Sequence, residues 1–172
     1  MQSHNRGATF VLSKSPNPLL YMKAQIITEI VINAPKEQVF SVLTNLEAYQ
    51  EWNPFIIRSE GKVMLGARLK NTMKNGDSPI TFKPKVTQVV ENEYFEWLGS
   101  LGIKGLFDGR HYFKIEEIAP NQVNLIHGES FSGLLVGYVL RKIGKQTRAG
   151  FVRMNEALKQ RTEALAQHSA HL

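Results

Sequence analysis

The hydrophobic period of this chain changes once, and that change sets its class. From Phe55 to Phe131 apolar residues come in short alternating runs, and from Leu140 to Leu165 they recur at spacings of three and four. The first pattern belongs to strands buried on one face, the second to one amphipathic helix of about thirty residues. The alternating runs fall at about 55–60, 67–75, 79–91, 93–99, 107–118 and 122–132. Turn formers stand between them: Gly61, Gly66, Asn75-Gly76-Asp77, Asn92 and Pro120-Asn121. Connections this short require antiparallel hairpins. The helical stripe is Leu140, Ile143, Thr147, Phe151, Met154, Leu158 and Leu165, and only a sheet offers enough surface to cover it.

The chain upstream fits the same plan. Ala24 to Asn33 reads as a first strand with Ile26, Thr28, Ile30 and Ile32 on one face. Asn33 and Pro35 then open a helix carrying Val39, Phe40, Leu43 and Leu46. Leu46 to Trp52 forms a second short helix, stopped by Asn53-Pro54. The expected fold is therefore α+β, a curved antiparallel sheet of about seven strands around a long C-terminal helix, with two short helices after strand one. Gly144 and Gly150 weaken that helix by roughly 1 kcal/mol each against alanine, which points to close packing or a slight bend. Gly99 to Gly105, with three glycines, is the expected loop at the rim.

A length of 172 residues with 42% hydrophobic content suits one domain, placed at 22–168. Residues 1–21 show no sustained period and read as an extension outside the core, with Met22 a candidate natural start. No cysteine is present, so disulfides, thiolate chemistry and cysteine metal sites are excluded, and a reducing, cytoplasmic compartment is expected. No apolar run reaches membrane-spanning length. Net charge is +6, and Arg141, Lys142, Lys145, Arg148, Arg153, Lys159 and Arg161 outnumber Glu156 and Glu163 near the C-terminus. These cations read as a solvated, dipole-matched helix face or as a surface for anionic lipid. Peripheral membrane contact is retained as an expectation, nucleic acid is not, and the oligomeric state stays open.

The strand registers select candidates for chemistry. Phe107, His111, Phe113 and Ile115 share one face, as do Val123, Leu125, His127, Glu129 and Phe131, so His111, His127 and Glu129 are expected to face inward. Buried charge without a partner is costly, so these three must pair with one another, with backbone or with a ligand. They suit either general acid/base work with Glu129 as orienter, or a hydrogen-bonded patch that fixes the fold or orients a ligand. Two histidines and a carboxylate form a familiar metal set, but alternate positions on two strands are not a ligand spacing, so neither metal nor cofactor is expected. Trp97 is placed inward and Glu96 outward. Trp52, Leu69, Met73, Phe82, Trp97, Phe113, Phe131 and Phe151 are the candidate apolar lining, with His111, His127 and Glu129 as its polar corner. A concave sheet has more inner surface than one helix fills, so either very large side chains or a ligand must occupy the remainder.

Ala34-Pro35, Val39-Phe40, Tyr49 to Phe55, Gly109 to Phe113, His127 to Phe131 with Gly133, and Phe151 to Leu158 together carry a resemblance. With this order of elements the chain resembles the SRPBCC (START, helix-grip) superfamily, in its polyketide cyclase/dehydrase-like branch. That resemblance implies a cavity between sheet and terminal helix, and binding or transport of a small hydrophobic, lipid-like or aromatic ligand. The alternatives are a cyclase/dehydrase-type enzyme using His111, His127 and Glu129, and a protein or membrane interaction module.

Overall fold

The computed structural model describes residues 22–74, 78–100 and 102–169. The expected N-terminal extension and the Asn75-Gly76-Asp77 turn lie outside the described residues. The chain opens with strand β1 (Met22–Ile32), helix α1 (Lys36–Thr44), a 3-10 turn (Leu46–Ala48) and helix α2 (Tyr49–Trp52). Strands β2 (Ile56–Glu60), β3 (Lys70–Lys74), β4 (Pro79–Phe82), β5 (Lys85–Val90), β6 (Tyr94–Ser100), β7 (Asp108–Ala119) and β8 (Gln122–Gly133) follow, and helix α3 (Val136–Ser169) ends the order.

Two antiparallel sheets result, one ordered β1-β8-β7-β6-β5 and one β2-β3-β4. Residues 66–69 join them along β5. Gly66 N donates to the Val86 carbonyl at 2.9 Å, Val86 N to Ala67 at 2.8 Å and Leu69 N to Pro84 at 2.9 Å. The single strand expected over 79–91 is in fact two. Proline at 84 has no N–H to offer a ladder, and the chain breaks at Lys83-Pro84 and turns from one sheet into the other.

The α1–α2 region is tied down by side chains. Tyr49 Oη donates to the Leu43 carbonyl at 2.7 Å. Asn53 Oδ1 accepts from the backbone N–H of Phe55 and Ile56, at 3.0 and 2.9 Å, which closes the turn into β2. Burial holds the Tyr49 phenol above its ordinary range.

Helix α3 buries Val136, Leu140, Phe151, Met154 and Leu158 against the sheet. Gly150 is a point of close approach, since a Cβ there would run into the Phe55 ring, which itself packs edge-on to Phe151 at 5.5 Å. At Gly144 the same Cβ would meet only Leu140, at an ordinary 3.8 Å. Near its end the helix is clasped to β1. Lys159 Nζ donates to the Val31 carbonyl at 2.6 Å, while Glu163 accepts from Asn33 N and from Lys159 Nζ at 2.7 and 2.8 Å. These bonds mark the end of β1. Leu165, expected on the buried stripe, is 45% exposed, while Ala166 beside it packs against the core. The dipole reading of the cations does not extend to Arg141, Lys142 and Lys145, which are exposed in the second and third turns of α3, far from its C-terminal end.

Candidate functional site

Three strands meet where the candidate polar residues lie. In register, His111 on β7 sits between Trp97 on β6 and Glu129 on β8, and His127 sits between Phe113 and Thr28. The two histidines are thus diagonal neighbours on the inner face. Their Nε2 atoms are 2.9 Å apart, and the rings are 4% and 0% exposed as residues. His127 Nδ1 meets Asn155 Oδ1 of α3 at 2.7 Å, and Asn155 Nδ2 donates to Thr28 Oγ1 at 3.0 Å. Thr28 Oγ1 returns the chain to the His127 carbonyl at 3.2 Å. At the other end a Glu129 carboxyl oxygen stands 3.6 Å from His111 Nδ1.

The proton positions follow from this connectivity. Thr28 gives its one proton to the His127 carbonyl, so it accepts from the Asn155 amide, and Asn155 Oδ1 must then accept from His127 Nδ1–H. That leaves His127 Nε2 as an acceptor, filled by His111 Nε2–H. His111 Nδ1 therefore turns a lone pair toward Glu129, whose carboxyl oxygen at 3.6 Å lies beyond hydrogen-bond reach and leaves its proton free for another acceptor. Electrostatics agree at each member. Burial holds His111 at about 3, and burial followed by the neighbouring His111 holds His127 well below its ordinary value. Burial also raises Glu129 to about 8. At neutral pH the whole chain of groups is uncharged.

Aromatic rings wall the pair. Trp97 stacks on His111 at 4.6 Å, nearly parallel, and Phe151 stacks on His127 at 4.0 Å. Phe113 lies 4.5 Å from His127 and 5.1 Å from His111. Glu129 alone of the three retains surface, with 19% of its side chain exposed. It lies on bare backbone, because a Cβ on Gly109 would strike its carboxyl group. Among the described residues no group of three His, Asp or Glu side chains is disposed to hold a metal ion. The geometry shows why: the lone pair of His127 Nε2 is already engaged by His111.

Of the expected lining, Trp97, His111, Phe113, His127, Glu129 and Phe151 meet in this cluster. Phe131 sits beside it, stacked on Phe107 at 5.3 Å. Trp52 packs instead edge-on to Tyr49 at 5.1 Å, with its Nε1 buried and without a hydrogen-bond partner. Leu69 is fully buried and Met73 partly so, both on the β3 side. Phe82 covers the inner face of Gly99. Sequence reasoning missed Thr28 and Asn155 as chain members. It also missed Asn71, buried on β3, whose Oδ1 accepts from Ser59 Oγ at 2.7 Å while its Nδ2 has no partner.

Glu96 faces outward as expected, yet it is buried beneath its own partners. It accepts from Thr87 Oγ1 and Tyr94 Oη at 2.7 Å each and from Arg110 Nη1 at 2.6 Å. On that same convex side an open cleft of about 570 Å³ is lined by Lys23, Lys104, Arg110, Ser130 and Ser132. It lies across the sheet from the histidine pair, since Arg110 and Ser130 alternate with His111 and Glu129 along their strands.

A curved antiparallel sheet closed by one long helix, with two short helices after the first strand, defines a helix-grip protein of the START (SRPBCC) type. The chain belongs to the family described as polyketide cyclase/dehydrase and lipid transport, whose model matches residues 23–169. Its fold is similar to that of a START superfamily protein from Mycobacterium smegmatis, at 20% identity and a TM-score of 0.66, covering 82% of this chain and 98% of that one. Norcoclaurine synthase from Thalictrum flavum, solved with dopamine and hydroxybenzaldehyde, is similar at 13% identity and 0.65, covering 87% and 94%. An aromatase/cyclase from a Streptomyces species is similar at 10% identity and 0.58, covering 78% and 93%. No curated protein sequence matches the chain.

Proposed function

We propose that this protein binds a small, largely apolar molecule, aromatic or lipid-like, on the inner face of the sheet, and holds one polar group of it at Glu129. The observation that carries this reading is the state of that carboxyl. It stands 3.6 Å from His111 at the partly exposed edge of a buried polar cluster among aromatic rings, and burial raises it to about 8. A neutral acid in such surroundings donates a hydrogen bond to a carbonyl or hydroxyl without stranding a charge. Membership of a family described by cyclase/dehydrase activity and lipid transport supports the ligand class.

The test uses a hydroxylated aromatic such as a naphthol and its parent hydrocarbon, followed through the tryptophan fluorescence to which Trp97 contributes. Glu129→Leu is expected to weaken the naphthol about tenfold, the worth of one buried hydrogen bond, and to leave the hydrocarbon within about a factor of two. Equal effects on both ligands, or no binding by the parent protein, would sink the reading.

A second reading rests on the same carboxyl. Its value of about 8 is close to the operating pH, as suits a group that both gives and takes a proton, so the site supports acid/base catalysis on a bound carbonyl compound. Turnover of such a substrate that survives Glu129→Gln would count against it.

A further inference from the structure

Helix α3 presents two opposed faces. Val136, Leu140, Thr147, Phe151, Met154 and Leu158 lie against the sheet. On the other side Tyr138, Arg141, Lys142, Lys145 and Val152 are exposed, at spacings that place them on one stripe. Between Ser130 and Asn155 the chain holds five cations and no carboxylate. The ion pairs of the helix among the described residues, Lys159–Glu163 and Arg161–Glu51, both lie toward its far end. Lys142 sits over the Tyr138 ring at 4.6 Å.

The tip of this helix is apolar. Leu134 and Leu135 precede it, and their N–H groups donate to the carbonyls of Gly105 and Leu106 at 3.2 and 2.8 Å, which seats the 102–106 loop beside them. Ile103 on that loop, Leu134, Leu135 and Tyr138 are between 43% and 72% exposed, and Lys104 stands among them. Four exposed apolar side chains on two hydrogen-bonded segments form one prominence, and the cations flank it.

From this juxtaposition we propose that the loop 102–106 and the start of α3 form a docking surface for anionic membrane. Charge complementarity selects the occupant. A phosphate-rich lipid surface offers negative headgroups to Lys104, Arg141, Lys142 and Lys145, and an apolar layer beneath them for Ile103, Leu134 and Leu135. Nucleic acid would use the cations but leave the apolar tip exposed. The proposal is independent of the ligand reading, since none of these side chains belongs to the Glu129 chain.

The experiment is flotation of the full chain with vesicles of phosphatidylcholine alone or containing about a third phosphatidylglycerol. Binding is expected to the anionic vesicles only and to weaken with salt. Lys142→Glu with Lys145→Glu should reduce it at least about tenfold. Leu134→Ser with Leu135→Ser should reduce it severalfold with circular dichroism and melting temperature unchanged. The proposal is overturned if the parent chain stays off anionic vesicles, or if the serine variant binds them as well as the parent does. It is also overturned if an RNA or DNA duplex of equal charge removes the protein from them, or if a protein partner alone depends on these residues.

Discussion

Glu129 and the two histidines place opposite demands on pH. In the folded protein Glu129 holds its proton to about pH 8, against 4.5 for the exposed group. Between those values the native state binds one proton more than the unfolded chain, so stability falls as pH rises. The histidines work the other way. Their folded values lie well below 6.5, so under acid the unfolded chain takes protons that the native state refuses, and stability falls as pH drops below 6.5. Each group contributes a slope of about 1.4 kcal/mol per pH unit within its window. Two histidines outweigh one carboxyl on the acid side, and stability is expected to peak near pH 6.5. Glu129→Gln should flatten the descent between about pH 6.5 and 8 and steepen the acid limb, where its opposing slope is lost, as read from urea midpoints along a pH series. A variant that keeps the alkaline descent would show that another group holds that proton. The inward placement of these three residues was legible because a period of two admits only two faces and the apolar majority chooses one. Thr28 and Asn155 were not legible as partners. Asn155 lies next to Met154 on the buried side of α3, and nothing in a linear sequence ties it to a threonine on the first strand.

At the scale of elements, the two glycines of α3 look alike in sequence and differ in the fold. Gly150→Ala would gain helix propensity of about 1 kcal/mol and force its methyl into Phe55, so a net loss of about 1–2 kcal/mol is expected. Gly144→Ala meets only its own helix and should stabilise by about 0.5–1 kcal/mol. Urea unfolding of both variants checks the pair, and a stabilised Gly150→Ala would show that Phe55 can move aside. The order and class of the elements were readable from period and turn formers, but the break at Pro84 and the exposure of Leu165 were not. The break at Pro84 had a visible cue in the missing N–H, overridden by the apolar run around it. The exposure of Leu165 had none, because its apolar side chain and its spacing from Leu158 match those of residues that are buried.

Across the whole molecule, α3 is held unevenly. Thr147, Gly150, Phe151, Met154, Asn155, Leu158 and Thr162 are all buried, and the Lys159–Glu163 clasp to β1 lies beside them. Residues 141–146 contribute none to the buried set. Amide exchange is expected to be at least about tenfold slower over 150–162 than over 141–146, and uniform protection along the helix would contradict this picture. The pairing of β1 has a consequence for how the protein is made. β1 is an edge strand whose sheet partner is β8, with Thr28 opposite His127, so the first strand waits for one about a hundred residues later. Closing such a loop is slow, and during synthesis Ile26, Ile30 and Ile32 remain uncovered until most of the chain has left the ribosome. The emerging protein thus carries a sticky, unpaired edge for most of its translation, and its yield should respond to chaperone supply more than its final stability would suggest.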